Sequence, residues 1–268
     1  MKEDLMEKAK EYALVTGASS GIGREFARQL AREGYGLLLV ARRSERLQKL
    51  KDELKKEVSA DIRILPADLS FRAECGLVAR EASKLPIRIV INNAGFGDFG
   101  EFTETDLSRE MQMIDVNVTA QHILLKKMLQ YFEKKGESGY ILNVASSAGL
   151  VPGGPYMASY YASKAYVVSL TRSVREELRK KKSPVVVSAL CPGPVDTEFN
   201  QVAHVKFALK SISAEKCVSI ALKKLKSGKG IIVPTFKLRA GMLLARLAPP
   251  DFVVRIAGKQ QEKKSGKD

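Results

Sequence analysis

Tyr12-Ala13-Leu14-Val15-Thr16-Gly17-Ala18-Ser19-Ser20-Gly21-Ile22-Gly23 opens the first regular stretch of this chain. The run 12–16 is short, apolar and β-favouring. It stops at a glycine-rich turn, and a helical pattern follows over 24–33 with Phe26, Ala27, Leu30 and Ala31 on one face. Gly17 lets the chain turn off the strand, and Gly21 and Gly23 keep Cβ atoms out of the space between the turn, the helix and an anion seated on them. The first turn of such a helix presents unpaired N–H groups and a partial positive charge, which suits a pyrophosphate. Gly17, Ser19, Ser20, Gly21, Ile22 and Gly23 are therefore candidate cofactor-binding residues.

The same alternation continues outward. Apolar runs recur at 36–41, 62–66, 87–92, 140–145, 185–190 and 231–234, with a helical pattern over 45–58 carrying Leu47, Leu50 and Leu54. The runs are almost uninterruptedly apolar, as parallel strands covered on both faces are. The expectation is an α/β fold, a doubly wound Rossmann-type parallel sheet of about seven strands with helices on both faces, forming a single domain over 1–235. Ligands of such a sheet bind at the carboxyl ends of its strands. Residues 236–268 read as a C-terminal extension. Its part 236–258 mixes Leu, Val and Ala with Arg239, Arg246 and Arg255 and is broken by Pro249-Pro250, while 259–268 is polar and reads as a frayed tail. The apolar part suits packing on its own domain or a subunit contact; contact with a membrane surface is expected to be weak at most.

The chain has 268 residues, with 45 basic against 30 acidic side chains and a net charge of +15. This reads as a solvated basic surface that also favours phosphate-bearing ligands. No nucleic-acid module signature is present. Cys75, Cys191 and Cys217 stand far apart and form neither a disulfide framework nor a zinc spacing, which suits a reducing cytoplasm. His122 and His204 lack a matching ligand cluster, so no metal is expected. The segment Met1-Lys2-Glu3-Asp4-Leu5-Met6 is charged and does not read as a secretory signal, and no stretch is apolar over the roughly 18 residues of a membrane span.

The second strand ends in Val40-Ala41-Arg42-Arg43-Ser44. A carboxylate here would bind the ribose hydroxyls of NAD; an arginine pair can instead hold a 2′-phosphate by charge-assisted bonds. NADP(H) is the expected cofactor, with NAD(H) as the alternative. Asp68 and Leu69, after the third strand, are placed for the adenine edge, although Asp68 also fits a turn or helix-cap role.

Further motifs follow in order: Asn92-Asn93-Ala94-Gly95, Asn117, a serine after the fifth strand and Tyr160-x-x-x-Lys164. With the glycine turn, this set resembles the short-chain dehydrogenase/reductase family over residues 10–235. The resemblance implies hydride transfer between a nicotinamide and a carbonyl or alcohol. It implies that Asn92, Ala94 and Gly95 pass beside the cofactor. Pro192 and Gly193 would shape the nicotinamide pocket, and Val195 and Thr197 would contact its carboxamide. Asn117 would bend its helix and hold a water in a proton relay from Lys164, which would also bind the nicotinamide ribose.

Carbonyl reduction places negative charge on oxygen, so a proton donor must lie within hydrogen-bond reach. Tyr160 is the candidate, and Lys164, one helical turn on, shares its face and is expected to lower the phenol's pKa. Tyr161 is expected to point elsewhere. A second donor would polarise the carbonyl. The family spacing counted back from Gly149 gives Ser146, and counted back from Tyr160 gives Ser147; the strand end favours Ser146. The region 198–213, with Phe199, Val202, His204, Val205, Phe207 and Leu209, suggests an apolar substrate and a lid. The family is commonly a homodimer or homotetramer. The alternative reading is a cofactor-binding regulator or scaffold without turnover.

Overall fold

Every long apolar run finds a parallel partner in the computed structural model, which describes residues 11–198, 211–245 and 247–262. In chain order the elements begin β1 (Tyr12–Thr16), α1 (Gly21–Arg32), β2 (Gly36–Ala41), α2 (Ser44–Glu57), β3 (Ile62–Pro66), α3 (Arg72–Ser83) and β4 (Ile87–Asn92). They continue with α4 (Leu107–Ile114), a π-helical turn (Asp115–Ala120), α5 (Gln121–Lys135), β5 (Gly139–Val144), a 3-10 turn (Ser147–Leu150), α6 (Ala158–Lys180) and β6 (Val185–Leu190). The last are β7 (Val195–Asp196), β8 (Ile212–Ser213), α7 (Ala214–Lys226), β9 (Ile231–Ile232), α8 (Phe236–Ala245) and α9 (Pro250–Glu262).

The main sheet has seven strands in the order β3-β2-β1-β4-β5-β6-β9, all parallel. A separate short ribbon joins β7 to β8. Strand order reverses on either side of β1, where Val15 pairs with Leu39 of β2 and Ile91 of β4. A crevice opens at the carboxyl end of such a reversal.

Alternation along β1 explains why both faces are covered. Ala13 and Val15 point to one core with Phe26 and Leu30 of α1, Leu50 of α2 and Leu222 of α7. Tyr12 and Leu14 point to the other, with Val78 of α3, Leu124 and Phe132 of α5 and Leu178 of α6. This is the doubly wound Rossmann-type arrangement expected from the alternation of strands and helices.

Several boundaries differ from the sequence reading. The fifth strand begins and ends one residue earlier, at Gly139–Val144, and the last shrinks to Ile231–Ile232, since Pro234 has no N–H to give a ladder. The tail does not begin to fray at Lys259, because α9 continues to Glu262. Pro249-Pro250 separates two helices, with Pro250 at the first position of α9, where its missing N–H costs nothing. Among the described residues no helix is long and apolar enough to cross a membrane. Phe199, Val202, His204, Val205, Phe207 and Leu209 lie outside the described residues.

Candidate active site

A cavity of about 950 Å³ runs from the glycine turn, across the carboxyl ends of β1, β4 and β5, to α8 and α9. At its first end, Gly17 and Gly21 adopt φ of +65° and +52°, a region that favours glycine. A Cβ on Gly23 would collide with the Gly17 carbonyl oxygen, and one on Gly21 would lie 3.2 Å from Thr197 Cβ. The turn is braced from β4. Asn93 N and Ala94 N donate to buried Thr16 Oγ1 at 2.9 and 3.0 Å, and Asn93 Nδ2 donates to Thr16 O at 2.9 Å. Ser20 is the N-cap of α1 but does not cap it with its side chain, so the first-turn N–H groups face the cavity edge.

Ser19 and Ser20 instead accept hydrogen bonds from Arg43 Nη2, each at 3.2 Å. Arg43 also lies 3.6 Å from Glu198, whose carboxyl is held below its usual range first by its hydrogen bond with Arg46. Arg42 keeps its side chain 59% exposed and approaches Asp68 at 3.8 Å. Asp68 Oδ1 accepts from Ser70 N and Ser70 Oγ, so Asp68 builds a turn and also lines the cavity with Leu69. The cradle that any Cβ would fill, the open helix end and the two guanidiniums fit a phosphorylated dinucleotide.

The asparagines divide differently from the sequence reading. Asn92 does not reach the cavity. It is buried in the sheet, where Nδ2 donates to Gln121 O at 2.8 Å and Asn143 Oδ1 at 3.2 Å. Asn93, Ala94 and Gly95 form the wall instead, because they lie beyond the end of β4, whereas Asn92 is its last residue and stays within the sheet. Asn117 also stands behind the wall. It sits in the π-helical turn, accepts from Phe96 N at 3.0 Å, and donates to Phe96 O at 2.9 Å and Ser163 Oγ at 3.1 Å. A Cβ on Gly95 would meet Asn117 Oδ1 at 2.8 Å and Lys164 Nζ at 3.2 Å, so this glycine lets the two polar groups come together.

Ser146 leaves β5 in an extended conformation and lines the cavity near enough to the Tyr160 phenol to favour its charged form. Its Oγ also accepts from Ala148 N at 3.2 Å. Ser147 opens the 3-10 turn, with its N–H tied to Pro192 O at 2.8 Å. Tyr160 and Lys164 project from one face of α6, and Lys164 Nζ lies 5.8 Å from the Tyr160 ring centroid while donating to Val144 O at 3.0 Å. Both are buried. Burial pushes Tyr160 up to about 12, against a lowering from Ser146, and pushes Lys164 down to about 8. The expectation that Lys164 lowers the Tyr160 pKa is thus not met: loss of water disfavours the charged form of each and is the largest cause of both shifts. Pro192, Gly193, Val195 and Thr197 complete the opposite wall.

Tyr161 is the main residue that sequence reasoning misplaced. It lines this cavity, with its ring edge-on to that of Tyr160. Leu238, Met242, Leu244, Phe252 and Ile256 of α8 and α9 also line it, at the end away from the glycine turn. Their only sequence signal was the apolar bias of 236–258.

Residues 11–206 match the short chain dehydrogenase family. The chain belongs to that family, which consists of oxidoreductase enzymes. A short-chain dehydrogenase from Sphingobium yanoikuyae, solved in complex with NADPH, superposes with a TM-score of 0.80 at 31% identity, covering 88% of this chain and 93% of that one. A short-chain dehydrogenase/reductase from Burkholderia phymatum, solved in complex with NAD, shares the fold at a TM-score of 0.81 and 24% identity, covering 91% and 98% of the two chains. Among curated sequences, the very-long-chain 3-oxoacyl-CoA reductase of Kluyveromyces lactis is 35% identical over 175 residues, which is 62% of this chain. The chain spans 50% of that relative's length.

Proposed function

We propose that this family member is an NADP(H)-dependent oxidoreductase acting on a carbonyl or alcohol group of an apolar small molecule. The observation that carries the reading is Ser146, Tyr160 and buried Lys164 lining the same cavity as the glycine turn. The bound nicotinamide supplies or takes up the hydride at the substrate carbon. Tyr160 Oη gives its proton to the carbonyl oxygen as that oxygen gains charge, and the product is the alcohol. A phenol raised to about 12 stays protonated at neutral pH, the state in which a proton donor must await its substrate. Ser146 holds the carbonyl oxygen by a second hydrogen bond and aims it at the phenol. Lys164 holds the nicotinamide ribose, and Asn117 is a positioning residue that fixes Phe96 and Ser163 behind them.

Arg42 and Arg43 support the choice of NADP(H) over NAD(H), because both guanidiniums stand at the end of β2 with no carboxylate in the ribose position. The proposed site keeps Gly17, Ser19, Ser20, Gly21, Ile22, Gly23, Asp68, Leu69, Ala94, Gly95, Pro192, Gly193, Val195 and Thr197 beside the cofactor, with Asn93 in place of Asn92. Residues 1–235 are read as the catalytic domain and 236–268 as an extension that completes its substrate end. A cytoplasmic homodimer or homotetramer is the proposed form. The apolar α8–α9 wall and the name of the Kluyveromyces lactis relative both support a substrate with an apolar chain.

The test is oxidation of NADPH and NADH against aldehydes, ketones, sterols and 3-oxoacyl thioesters, run beside Tyr160→Phe and Arg42→Asp. Reduction that collapses in Tyr160→Phe, and a preference that moves toward NADH in Arg42→Asp, is the expected result. Undiminished turnover by Tyr160→Phe would refute the chemistry, and an unchanged cofactor preference in Arg42→Asp would refute the role of the arginine.

A further inference from the structure

Phe236, Leu243, Leu244, Leu247, Phe252 and Ile256 are all exposed, and all lie on α8, on α9 or in the turn between them. They divide by face. Leu238, Met242 and Ala245 of α8 recur at helical spacing and line the cavity. Phe236 and Leu243 lie on the opposite face of the helix, 79% and 63% exposed, and do not line it. Leu247, 82% exposed, extends their row in the turn after α8, where its N–H donates to Leu244 O at 3.0 Å. Thus α8 is apolar on both faces, yet none of its residues is buried. A helix apolar all round belongs inside a protein or against lipid. The cavity accounts for one face of α8 and leaves the other unexplained.

The charges beside that face decide what it fits. Lys237 and Arg239 flank the row of Phe236 and Leu243, and Arg255 and Lys259 stand one turn apart on α9; all four are exposed. The acids of 236–262 are Asp251 and Glu262, and Glu262 accepts a hydrogen bond from Tyr156 Oη at 3.1 Å. A second copy docked face to face would set these cations against their own equivalents, on chains that each carry +15. A convex helix face gives a protein partner no pocket for an anchor residue. A bilayer closes on apolar side chains of any shape, and anionic headgroups supply the charge that the cations lack.

We infer that α8 and α9 form a docking surface for an anionic lipid bilayer. Phe236, Leu243 and Leu247 dip among the acyl chains, while Lys237, Arg239, Arg255 and Lys259 meet the headgroups. The contact is peripheral, since no helix among the described residues is long and apolar enough to cross a membrane. Shallow insertion and cation attraction are each weak alone and reinforce each other. Leu244, Phe252 and Ile256 are exposed and also line the cavity, so docking sets the lip of its apolar end at the lipid surface. The contact is stronger than the sequence leads one to expect, because the sequence leaves room for 236–245 to pack into its own domain and the structure buries none of it. Docking does not depend on Tyr160 and stands or falls apart from the proposed reaction.

The test is flotation of the full chain with vesicles of phosphatidylcholine and phosphatidylserine in equal parts, and with vesicles of phosphatidylcholine alone. The chain floats with the anionic vesicles and binds the neutral ones about tenfold more weakly. Phe236→Ser/Leu243→Ser/Leu247→Ser lowers binding to anionic vesicles about tenfold through lost insertion. Lys237→Gln/Arg255→Gln lowers it about tenfold as well, and raised salt weakens the wild type in the same way. Both variants keep wild-type NADPH affinity, because the glycine turn lies at the other end of the cavity, so lost docking is told apart from lost folding. The chain contains no tryptophan, so Leu243→Trp gives a single reporter that keeps the face apolar. Its emission shifts to the blue on anionic vesicles; unchanged emission overturns the docking surface. No flotation, equal binding to both vesicles, or equal binding by the serine variant also overturns it. A wild-type oligomer that the serine changes dissociate, with no lipid binding, assigns the face to a second copy instead and overturns it too.

Discussion

The two ends of the cavity are built on opposite principles. The glycine-turn end and the Tyr160 pocket are made of buried groups in contact with backbone: Thr16 braces Asn93 and Ala94, Gly23 lies against Gly17, and Lys164 reaches Val144 O. The far end is made of two helices that leave several large apolar side chains exposed, although α9 buries Val253. None of the residues of α8 is buried, although Phe236, Leu238, Met242, Leu243 and Leu244 make it strongly apolar. Leu244 is 67% exposed and Phe252 56%, and both line the cavity. The phosphate-binding end needs backbone held at fixed distances, whereas an apolar chain needs only surface to lie on. Substitutions at the first end should therefore act on the fold itself, and substitutions at the second on substrate affinity alone.

The sharpest break in that contrast is expected at Lys164. Its pKa is lowered from 10.5 to about 8 by burial, so the folded state binds fewer protons than the unfolded state between these values. Stability then rises with pH across that window, and below it the buried charge costs up to about 3 kcal/mol. Lys164→Met should raise the thermal midpoint at neutral pH, with the gain shrinking toward pH 10 as wild-type Lys164 loses its proton. Melting curves over this pH range check it, and a gain independent of pH would contradict the burial argument.

Gly23→Ala comes next. Its Cβ meets a backbone carbonyl that cannot rotate away, so the expected cost is about 1–3 kcal/mol, together with weaker NADPH binding. Denaturant midpoints and NADPH fluorescence titration measure the two effects. Phe252→Ser should have the smallest effect on the fold, within about 0.5 kcal/mol, because an exposed ring contributes little to the core. Its KM for a long-chain ketone should nonetheless rise about fivefold through lost apolar contact. A large stability loss in Phe252→Ser would show that the far wall is part of the core after all.

Much of the sheet was legible because its signals are local. The uninterrupted apolar runs 12–16 and 36–41, the helical spacing of Leu47, Leu50 and Leu54, and the strand–glycine–helix order around Gly17 each lie within a few neighbouring residues. Elements held by few local rules were missed or shifted. The two-residue strands β7 and β8 have no periodicity to read, and the π-helical turn around Asn117 depends on bonds to Phe96 and Ser163.

The sequence by itself determined the doubly wound sheet, the glycine turn at its switch point and the shared face of Tyr160 and Lys164, because backbone periodicity and helical spacing dictate them. Only the tertiary structure decided that Ser146 meets the Tyr160 phenol, that Asn93 rather than Asn92 reaches the cavity wall, and that Tyr161 turns toward Gln261 of α9. It also decided that Tyr160 and Lys164 are both pushed toward their neutral forms. Each of these depends on which side chains from distant parts of the chain exclude water from one place, and spacing along a single element carries no information about that.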